Sequence, residues 1–371
     1  MMSSILRAWK KLKMKKNLKE SWKLWKKKIG KKRTGKRKKI GKKSRLVFLF
    51  LFLLIFFLVI SIAPRKINSK EKIIFYLPEG SSSLRISELL KEKGIILSKW
   101  SFIIWAKILG LDRKLKPGYY ELTPSINIFD LLKKLSSGEI IKVKVTFPEG
   151  INLDKIGEIL EEKLSLSKEN FLNLAKNPKN LNNIKRYFEK IPDTLEGYLF
   201  PATYDFPLGI KERDVIYIML NTFFKKIEEI PNWKEELKNK NINFEDWVIL
   251  ASIVEKEAKY EDERPLIAGV FLNRLKIGYK LQSCATVEYV FNFKKPILSY
   301  DDLKVESPYN TYIHYGLPPT PICSPSLSSL KAVLYPKGDY LFFISKGNGR
   351  HYFAKTYEEH LRFQKELKRG Y

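Results

Sequence analysis

The chain has few of the residues that build disulfide scaffolds and metal sites. Its 371 residues include only two cysteines, Cys284 and Cys323, and three histidines. Two cysteines in so long a chain exclude a disulfide framework; the pair could form one bridge or stay unpaired. The histidines show neither HExxH nor another paired-ligand spacing. We therefore expect no metal site and no cofactor.

Acidic residues are almost absent from the first 45 positions. This tail holds 21 Lys or Arg against Glu20 alone, whereas the rest of the chain holds 49 basic and 39 acidic residues. Such a tail could bind nucleic acid or the anionic headgroups of a lipid bilayer. Because it adjoins an apolar run and contains tryptophans suited to an interface, we favour the bilayer as partner and expect no nucleic acid.

The apolar run covers residues 46–63, LVFLFLFLLIFFLVISIA, and carries no charge. As a helix it spans roughly 27 Å, close to the hydrocarbon thickness of a bilayer. A cleaved signal peptide is the main alternative, but the run exceeds a usual h-region. The basic residues before it predict a single-pass transmembrane helix, with the amino terminus cytoplasmic and the later domains outside a bacterial cell membrane.

The remainder of the chain has an α+β pattern. Residues 75–100 and 145–170 each contain a short strand, a Pro-Glu-Gly turn and an amphipathic helix. The first unit continues into a second helix, a strand and a third helix, which predicts a small α+β module over 72–140. The second opens a larger, α-rich α+β domain over 141–371. Duplication of one segment and convergence on a common shape both explain the similarity between these two segments.

The segment 244–258, FEDWVILASIVEKEA, has helical periodicity and carries two glutamates near its end. On a helix wheel one apolar face is predicted, formed by Trp247, Leu250, Ala251, Val254 and Ala258. Glu255 and Glu257 lie about 200° apart around this helix, so both cannot reach one small substrate atom. Glu257 lies beside Leu250 and Ile253. An apolar neighbourhood raises the pKa of a carboxyl group, as a general acid at neutral pH requires. The alternative is that both glutamates are solvated at the helix edge.

Loops at 195–204, 307–312 and 316–319 combine aromatic rings with hydroxyl and amide groups. Rings that stack on sugar faces and amides that bind hydroxyls are typical of sugar-binding sites. An aromatic core with ordinary loops would give a similar composition. We interpret Arg274 and Glu263 as a structural ion pair.

Six motifs occur in one order along the chain. They are LEGYLFPATY from Leu195, ASIVEKEA from Ala251, VFLNRL from Val270, LQSCATV from Leu281, SPYNTY from Ser307 and GLPPTPICSPS from Gly316. With this set the chain resembles the endolytic murein transglycosylase family (MltG or YceG-like). The resemblance implies a LysM-like module at 72–140 and a catalytic YceG-like domain at 141–371. It also implies cleavage of MurNAc–GlcNAc bonds within peptidoglycan glycan strands to give 1,6-anhydroMurNAc ends, which limits strand elongation, and cell-wall synthases as partners.

Residue by residue, the resemblance assigns the catalytic acid to Glu257, the second glutamate of ASIVEKE. Within the matching motifs, we predict that Glu196, Gln282, Tyr309 and Asn310 bind the substrate.

The chain departs from the family pattern at two positions. Members often carry aspartate where this chain has Cys284 and Ala202, which leaves any role for those acids open. Two alternative functions remain at this stage. One is a peptidoglycan hydrolase in which another acid, such as Glu196, handles water. The other is a non-catalytic scaffold that binds peptidoglycan within the cell-wall synthesis machinery.

Overall fold

The computed structural model describes residues 62–369 except Pro296, and a few positions before residue 62. Those positions are Glu20, Lys23, Lys26, Lys27, 46–49, Leu51, Phe52 and Phe56. Most of the basic tail and of the predicted membrane span at 46–63 therefore lies outside the described residues. Among the residues that are described, no helix is both long and apolar enough to cross a membrane.

The small module (residues 72–140) has the predicted order of elements. They are β1 (Ile73–Leu77), α1 (Ser83–Glu92), α2 (Lys99–Ile108), β2 (Gly118–Leu122) and α3 (Ile128–Ser137). β1 and β2 pair antiparallel, with Phe75 opposite Tyr120. Both side chains point inward to the module's own core with α1, α2 and α3. The element order is thus confirmed, whereas the likeness to LysM stays a prediction.

The larger part is dominated by helices. Its elements are β3 (Lys142–Thr146), α4 (Leu153–Leu164), α5 (Lys168–Lys176), β4 (Thr203–Pro207), α6 (Glu212–Ile227), α7 (Trp233–Asn239), α8 (Phe244–Glu257), α9 (Arg264–Lys276), α10 (Cys284–Val290), α11 (Leu327–Leu334), β5 (Phe342–Ser345), β6 (His351–Ala354) and α12 (Tyr357–Arg369). Short 3₁₀ turns lie at Pro178–Asn180, Ile184–Arg186, Glu261–Glu263 and Asp302–Lys304. β3 pairs with β4, and β5 pairs with β6, both antiparallel. The described chain is therefore an α+β protein in which helices predominate.

The two Pro-Glu-Gly units fold alike. Gly80 and Gly150 both adopt left-handed φ angles, 70° and 71°. Glycine is the residue that enters this region without steric cost. Each turn then leads to a capped helix: the Ser82 hydroxyl accepts from the backbone of α1, and the Asn152 amide oxygen accepts from that of α4. The sequence similarity between the two units therefore reflects a shared local structure.

α8 is buried on all sides over residues 247–254, not on one face only. The helix wheel predicted a single apolar face, but α9, α10 and α11 all pack against α8. Its polar groups are satisfied inside this core. The Trp247 indole donates to the Leu330 carbonyl at 2.9 Å, and the Ser252 hydroxyl accepts from the Ile322 N–H at 3.0 Å. α8 is thus the central helix, and its last turn emerges at the edge of the core.

Two separate hydrophobic clusters lie on either side of residue 140. One contains buried residues between 75 and 135, and the other contains buried residues between 145 and 334. The link between them is hydrogen-bonded, since the Ile141 N–H donates to Tyr119 O at 2.7 Å and Ile141 O accepts from Leu208 at 2.9 Å. The domain boundaries themselves stay predictions.

Close packing around Gly269 generates a test of the fold. A Cβ atom at this position of α9 would lie 2.3 Å from the Lys337 carbonyl oxygen. The Lys337 N–H also donates to Pro265 O at 2.9 Å, so this loop cannot easily move away. Alanine in a helix normally stabilises by about 1 kcal/mol relative to glycine. We expect Gly269→Ala to destabilise instead, by roughly 1–3 kcal/mol of overpacking, as measured by thermal denaturation.

The matched control for this prediction is Lys276→Ala, an exposed position on the same helix. Its effect should stay within about 0.5 kcal/mol. A Gly269→Ala protein that is more stable than the wild type would contradict the packing described here.

Candidate active site

The last turn of α8 brings its two glutamates into different surroundings. Glu255 Oε1 lies 2.9 Å from Arg264 Nη2, and both side chains are buried, with 5% and 7% exposed. Glu255 Oε2 accepts from the Ser326 N–H at 2.9 Å and from its hydroxyl at 2.5 Å. All of these contacts engage the Glu255 carboxylate. It therefore fixes the helix end rather than facing a substrate.

Glu257 is partly buried and faces the start of α10. Its Oε1 accepts a short hydrogen bond from the Ser283 hydroxyl, and the Ala285 N–H also donates to the carboxyl group. Burial raises the pKa of Glu257, whereas these two donors act in the opposite direction because they stabilise the carboxylate. The two glutamates thus face different partners, as the wheel predicted.

Ser283 is held in place by two threonines. Its N–H donates to Thr311 Oγ1 at 3.0 Å, and its carbonyl accepts from Thr286 Oγ1 at 2.8 Å. The two threonine hydroxyls are themselves 2.9 Å apart, and all three residues are buried. A buried, fully bonded network of this kind is rigid. The hydroxyl that meets Glu257 is therefore fixed before any substrate arrives.

Cys284 lies between the two residues that contact Glu257. Its Sγ is 3.0 Å from the Tyr312 hydroxyl, and the residue is exposed and unpaired. Cys323 is also unpaired, but it is buried and donates to Ser252 O. The two cysteines thus form no bridge in this structure. An aspartate at position 284 would therefore stand directly beside Glu257.

Glu196 lies in a second network, also attached to α10. Both of its oxygens accept from the Leu153 N–H at 3.1 Å, and the Tyr289 hydroxyl donates at 3.4 Å. The side chain is buried, and this burial raises the pKa of Glu196 to about 8. Tyr289 in turn packs against Tyr309, with ring centroids 4.8 Å apart. Glu196 therefore connects the start of α4 to the end of α10.

The other predicted substrate-binding residues occupy varied positions. Gln282 is exposed, with a left-handed φ of 51°, directly before Ser283. Tyr309 is partly buried, and its hydroxyl lies 2.7 Å from Thr320 Oγ1. The structure thus brings Glu196 and Tyr309 into one network. It places Gln282 beside Ser283, which donates a hydrogen bond to Glu257.

Asn310 is fully buried. Its amide nitrogen donates to the Leu303 and Val305 carbonyls, each at 2.9 Å, and its oxygen accepts from the Tyr312 N–H at 2.9 Å. Every hydrogen-bonding group of the side chain is therefore engaged within its own loop. This placement favours positioning of the loop over direct contact with a substrate.

The predicted ion pair between Arg274 and Glu263 is wrong. The Arg274 guanidinium donates to the carbonyls of Leu341 at 2.7 Å and Leu281 at 2.8 Å instead. Glu263 Oε2 lies 2.8 Å from His351 Nδ1, with Arg350 at 3.7 Å from its other oxygen. Spacing in the sequence could not reveal this exchange, since Leu341, Arg350 and His351 lie in or beside the distant β5–β6 hairpin.

His351 is buried beside Glu263 and also acts electrostatically on Glu257, where it lowers the pKa of the acid. Together with Ser283, Thr311 and Tyr289, it is a site residue that reasoning from the sequence missed. A partial signal existed, because Ser283 and Thr311 lie inside the quoted motifs and Tyr289 lies two residues after the end of one. Which hydroxyl meets which carboxylate depends on contacts between distant segments.

A large groove in the described part of the chain lies away from Glu257. It encloses about 1160 Å³ between the first half of α8, the second half of α9 and the Leu317–Pro319 loop. Glu257 is not among its lining residues. We place the candidate site at Glu257 because the raised pKa and the fixed donors meet at its carboxyl group, and because the aromatic network contacts the same helix, α10.

Burial of Glu196 generates a pH-dependent prediction. Its pKa of about 8 in the folded protein exceeds the ordinary value, so the folded state binds more protons over the intervening pH range. The contribution of Glu196 to the free energy of unfolding therefore falls as pH rises from about 4.5 to about 8. Glutamine does not ionise. We expect Glu196→Gln to gain stability relative to the wild type across this range and to level off above it.

Thermal denaturation of both proteins at several pH values measures this difference. Parallel stability curves for wild type and Glu196→Gln would show that the folded environment leaves the acid unperturbed.

Comparison with known proteins places the chain among relatives of one kind. The model of the YceG-like family matches residues 75–366. An endolytic murein transglycosylase of Bacillus subtilis is 33% identical over 310 residues, covering 80% of this chain and 85% of that protein. One from Streptococcus pneumoniae is 32% identical over 330 residues; these cover 81% of this chain but only 59% of the longer relative.

A solved structure agrees with these sequence matches. The crystal structure of a YceG-like protein from Listeria monocytogenes has a TM-score of 0.55 and 36% identity, covering 80% of this chain and all of that one. The family match spans the site at Glu257 and both networks around α10. The resemblance predicted from the six motifs is confirmed: the chain belongs to the YceG-like family.

Proposed function

We propose that this protein is a peptidoglycan lytic transglycosylase that cleaves within glycan strands. Its relatives named endolytic murein transglycosylases support this general activity. The observation that assigns this activity to a particular residue is the environment of the Glu257 carboxyl group. Burial raises the pKa of Glu257, and the Ser283 hydroxyl and the Ala285 N–H are positioned to stabilise its ionised form. A group balanced in this way can both give and take a proton.

The reaction needs one such group. Protonated Glu257 donates its proton to the glycosidic oxygen between MurNAc and GlcNAc as that bond breaks and an oxocarbenium-like state develops at C1. The Glu257 carboxylate then takes the proton from the C6 hydroxyl of the same MurNAc, whose oxygen bonds to C1. The products are a 1,6-anhydroMurNAc end and a new GlcNAc hydroxyl. No water is consumed, and Glu257 ends protonated.

The neighbours of Glu257 have roles that follow from their contacts. The Ser283 hydroxyl and the Ala285 N–H stabilise the carboxylate that forms after the first proton transfer. Gln282 is exposed beside them and is placed to meet a sugar hydroxyl. The Glu196–Tyr289–Tyr309 network holds α10 against the loop at 307–312. We assign Glu196 and Asn310 to positioning because both are buried and bonded within the protein.

The proposed location follows from the sequence. An apolar run at 46–63 after a basic tail supports a single-pass anchor, with the tail in the cytoplasm and the enzyme outside the bacterial cell membrane. Peptidoglycan lies on that side. Cell-wall synthases that produce the strands remain proposed partners.

A non-catalytic scaffold is the second candidate, and one observation favours it. The small module has a groove of about 390 Å³ beside its Pro-Glu-Gly turn, lined by Pro78, Ser82 and Asp112 among others. Such a groove could hold a glycan strand without cutting it. Hydrolysis of the glycan, with Glu196 handling water, is opposed by the burial of that side chain.

The decisive experiment is product analysis with Glu257→Gln. Full-length protein is incubated with purified sacculi and the products are identified by mass spectrometry. The wild type should yield 1,6-anhydro ends, one water lighter than hydrolytic ends. Loss of a general acid typically lowers the rate by about 10²–10⁴-fold, and the variant should fall at least this far.

Glu358→Gln serves as the control, because that side chain is exposed on α12. It should cut at the wild-type rate. Undiminished cutting by Glu257→Gln would refute the assigned acid. Reducing ends from the wild type would establish hydrolysis, and binding without any cutting would establish the scaffold.

Ser283→Ala tests how the acid is tuned. The Ser283 hydroxyl stabilises the ionised form, so its loss raises the pKa of Glu257 further. Because the first step needs the protonated acid, kcat/KM declines as pH rises through this pKa. We expect the alkaline limb of the kcat/KM profile to move to higher pH in Ser283→Ala. Ser137→Ala, an exposed serine of the small module, should leave the limb in place. A limb that moves to lower pH in Ser283→Ala would contradict the assigned role.

A further inference from the structure

Helix α2 of the small module is apolar on two opposite sides. Its inner side chains, including Phe102 and Ala106, are fully buried in the module core. On the outer side Trp100 is 66% exposed, Ile104 is 45% exposed and Ile108 is 64% exposed. Residues spaced by four share one face of a helix, so these three form a continuous stripe, the α2 stripe. A helix that is apolar all round normally has a partner on each side.

The surroundings of the α2 stripe are apolar and basic. Leu97, which is 50% exposed, precedes the helix, and Lys107 is exposed within it. Lys99 opens the helix, although it also pairs with Glu88 at 3.3 Å. Between residues 64 and 140 the chain carries fourteen Lys or Arg against eight Asp or Glu. An exposed apolar surface with a basic surround is complementary to anionic lipid.

The chain leading into the module is fixed to it close to the apolar run. The Arg65 guanidinium lies against Gly94, and the Lys66 N–H donates to Pro124 O at 3.0 Å. Arg65 comes two residues after the run ends, so its Cα lies within about 8 Å of the run's last Cα. Gly94 in turn lies three residues before Leu97. Only Pro64 separates the run from Arg65 in the sequence, so the connection to the module is short.

We infer that the α2 stripe lies in the interface of the membrane that holds the apolar run, with its rings and side chains at the boundary between headgroups and acyl chains. This inference rests on the anchor given under the proposed function. Tryptophan favours that depth, and the neighbouring lysines reach the headgroups. Docking would hold the module in one orientation on the membrane surface instead of leaving it to swing on a tether.

Lipid explains the observations better than a protein partner. A second copy or a synthase would account for the exposed apolar stripe, but not for the basic excess or for the short connection to the run. Both remain distinguishable outcomes of the test below.

The experiment uses the full-length chain with Cys284→Ser, in vesicles of phosphatidylcholine and phosphatidylglycerol. A single new cysteine at position 104 (Ile104→Cys) carries an environment-sensitive fluorophore, and lipids brominated in the upper acyl chain act as quenchers. Ile108→Cys repeats the measurement in case the first variant folds poorly. The matched control is Ile277→Cys, an isoleucine of similar exposure (50%) in the larger part.

We expect several-fold stronger lipid quenching at positions 104 and 108 than at 277. Charge reversal by Lys107→Glu should weaken that quenching without changing the thermal unfolding temperature, because Lys107 is exposed. Flotation of the protein with the vesicles is measured in the same samples and reports the anchor separately.

The other outcomes overturn the inference in distinguishable ways. If the protein floats but position 104 is not quenched, the docking is wrong while the anchor stands. If position 104 is shielded from water, escapes the lipid quencher and cross-links to a second copy, the stripe is a protein interface. If the protein does not float, both the anchor and the docking fail, while product analysis with Glu257→Gln still decides the enzymatic proposal.

Discussion

A buried ion pair between Glu255 and Arg264 fixes the end of the central helix, and the geometry of the site depends on it. Both side chains are almost completely buried, and Ser326 adds two further hydrogen bonds to the carboxylate. Breaking such a pair leaves an uncompensated buried charge, which is costly. α8 therefore cannot rotate about its axis. Glu257, two residues further on, is directed towards α10 by this constraint together with its own hydrogen bonds from Ser283 and Ala285.

The chemistry at Glu257 follows from two opposing influences on one carboxyl group. Burial favours the neutral acid, while Ser283 and Ala285 favour the anion. Either influence alone would hold the group in one state, and together they suit it to proton transfer in both directions. The threonine network behind Ser283 keeps the donor in place. Glu255, only two residues away, serves structure because it meets Arg264 instead.

Local patterns in the sequence predicted the elements and the orientation of the glutamates well. The helix at 244–258, the order of elements in the small module and the opposite directions of Glu255 and Glu257 all depend on periodicity within one segment. Contacts between distant segments were not accessible in this way. Three features depend on how the chain folds in three dimensions and cannot be read from the spacing of residues. They are the burial of α8 on all sides, the carbonyl partners of Arg274 and the engagement of Asn310 within its loop. The family motifs indicated where such contacts occur, but not which atoms meet.

The central claim is that the folded protein holds Glu257 as an acid with a raised pKa. The most direct measurement is an NMR titration of protein labelled with ¹³C at the glutamate side-chain carboxyl, in which Glu257 is identified by its absence from the spectrum of Glu257→Gln. We predict a midpoint above the ordinary value for glutamate. A midpoint at or below that value would contradict the account, since the group would then be ionised under the conditions in which it must donate a proton.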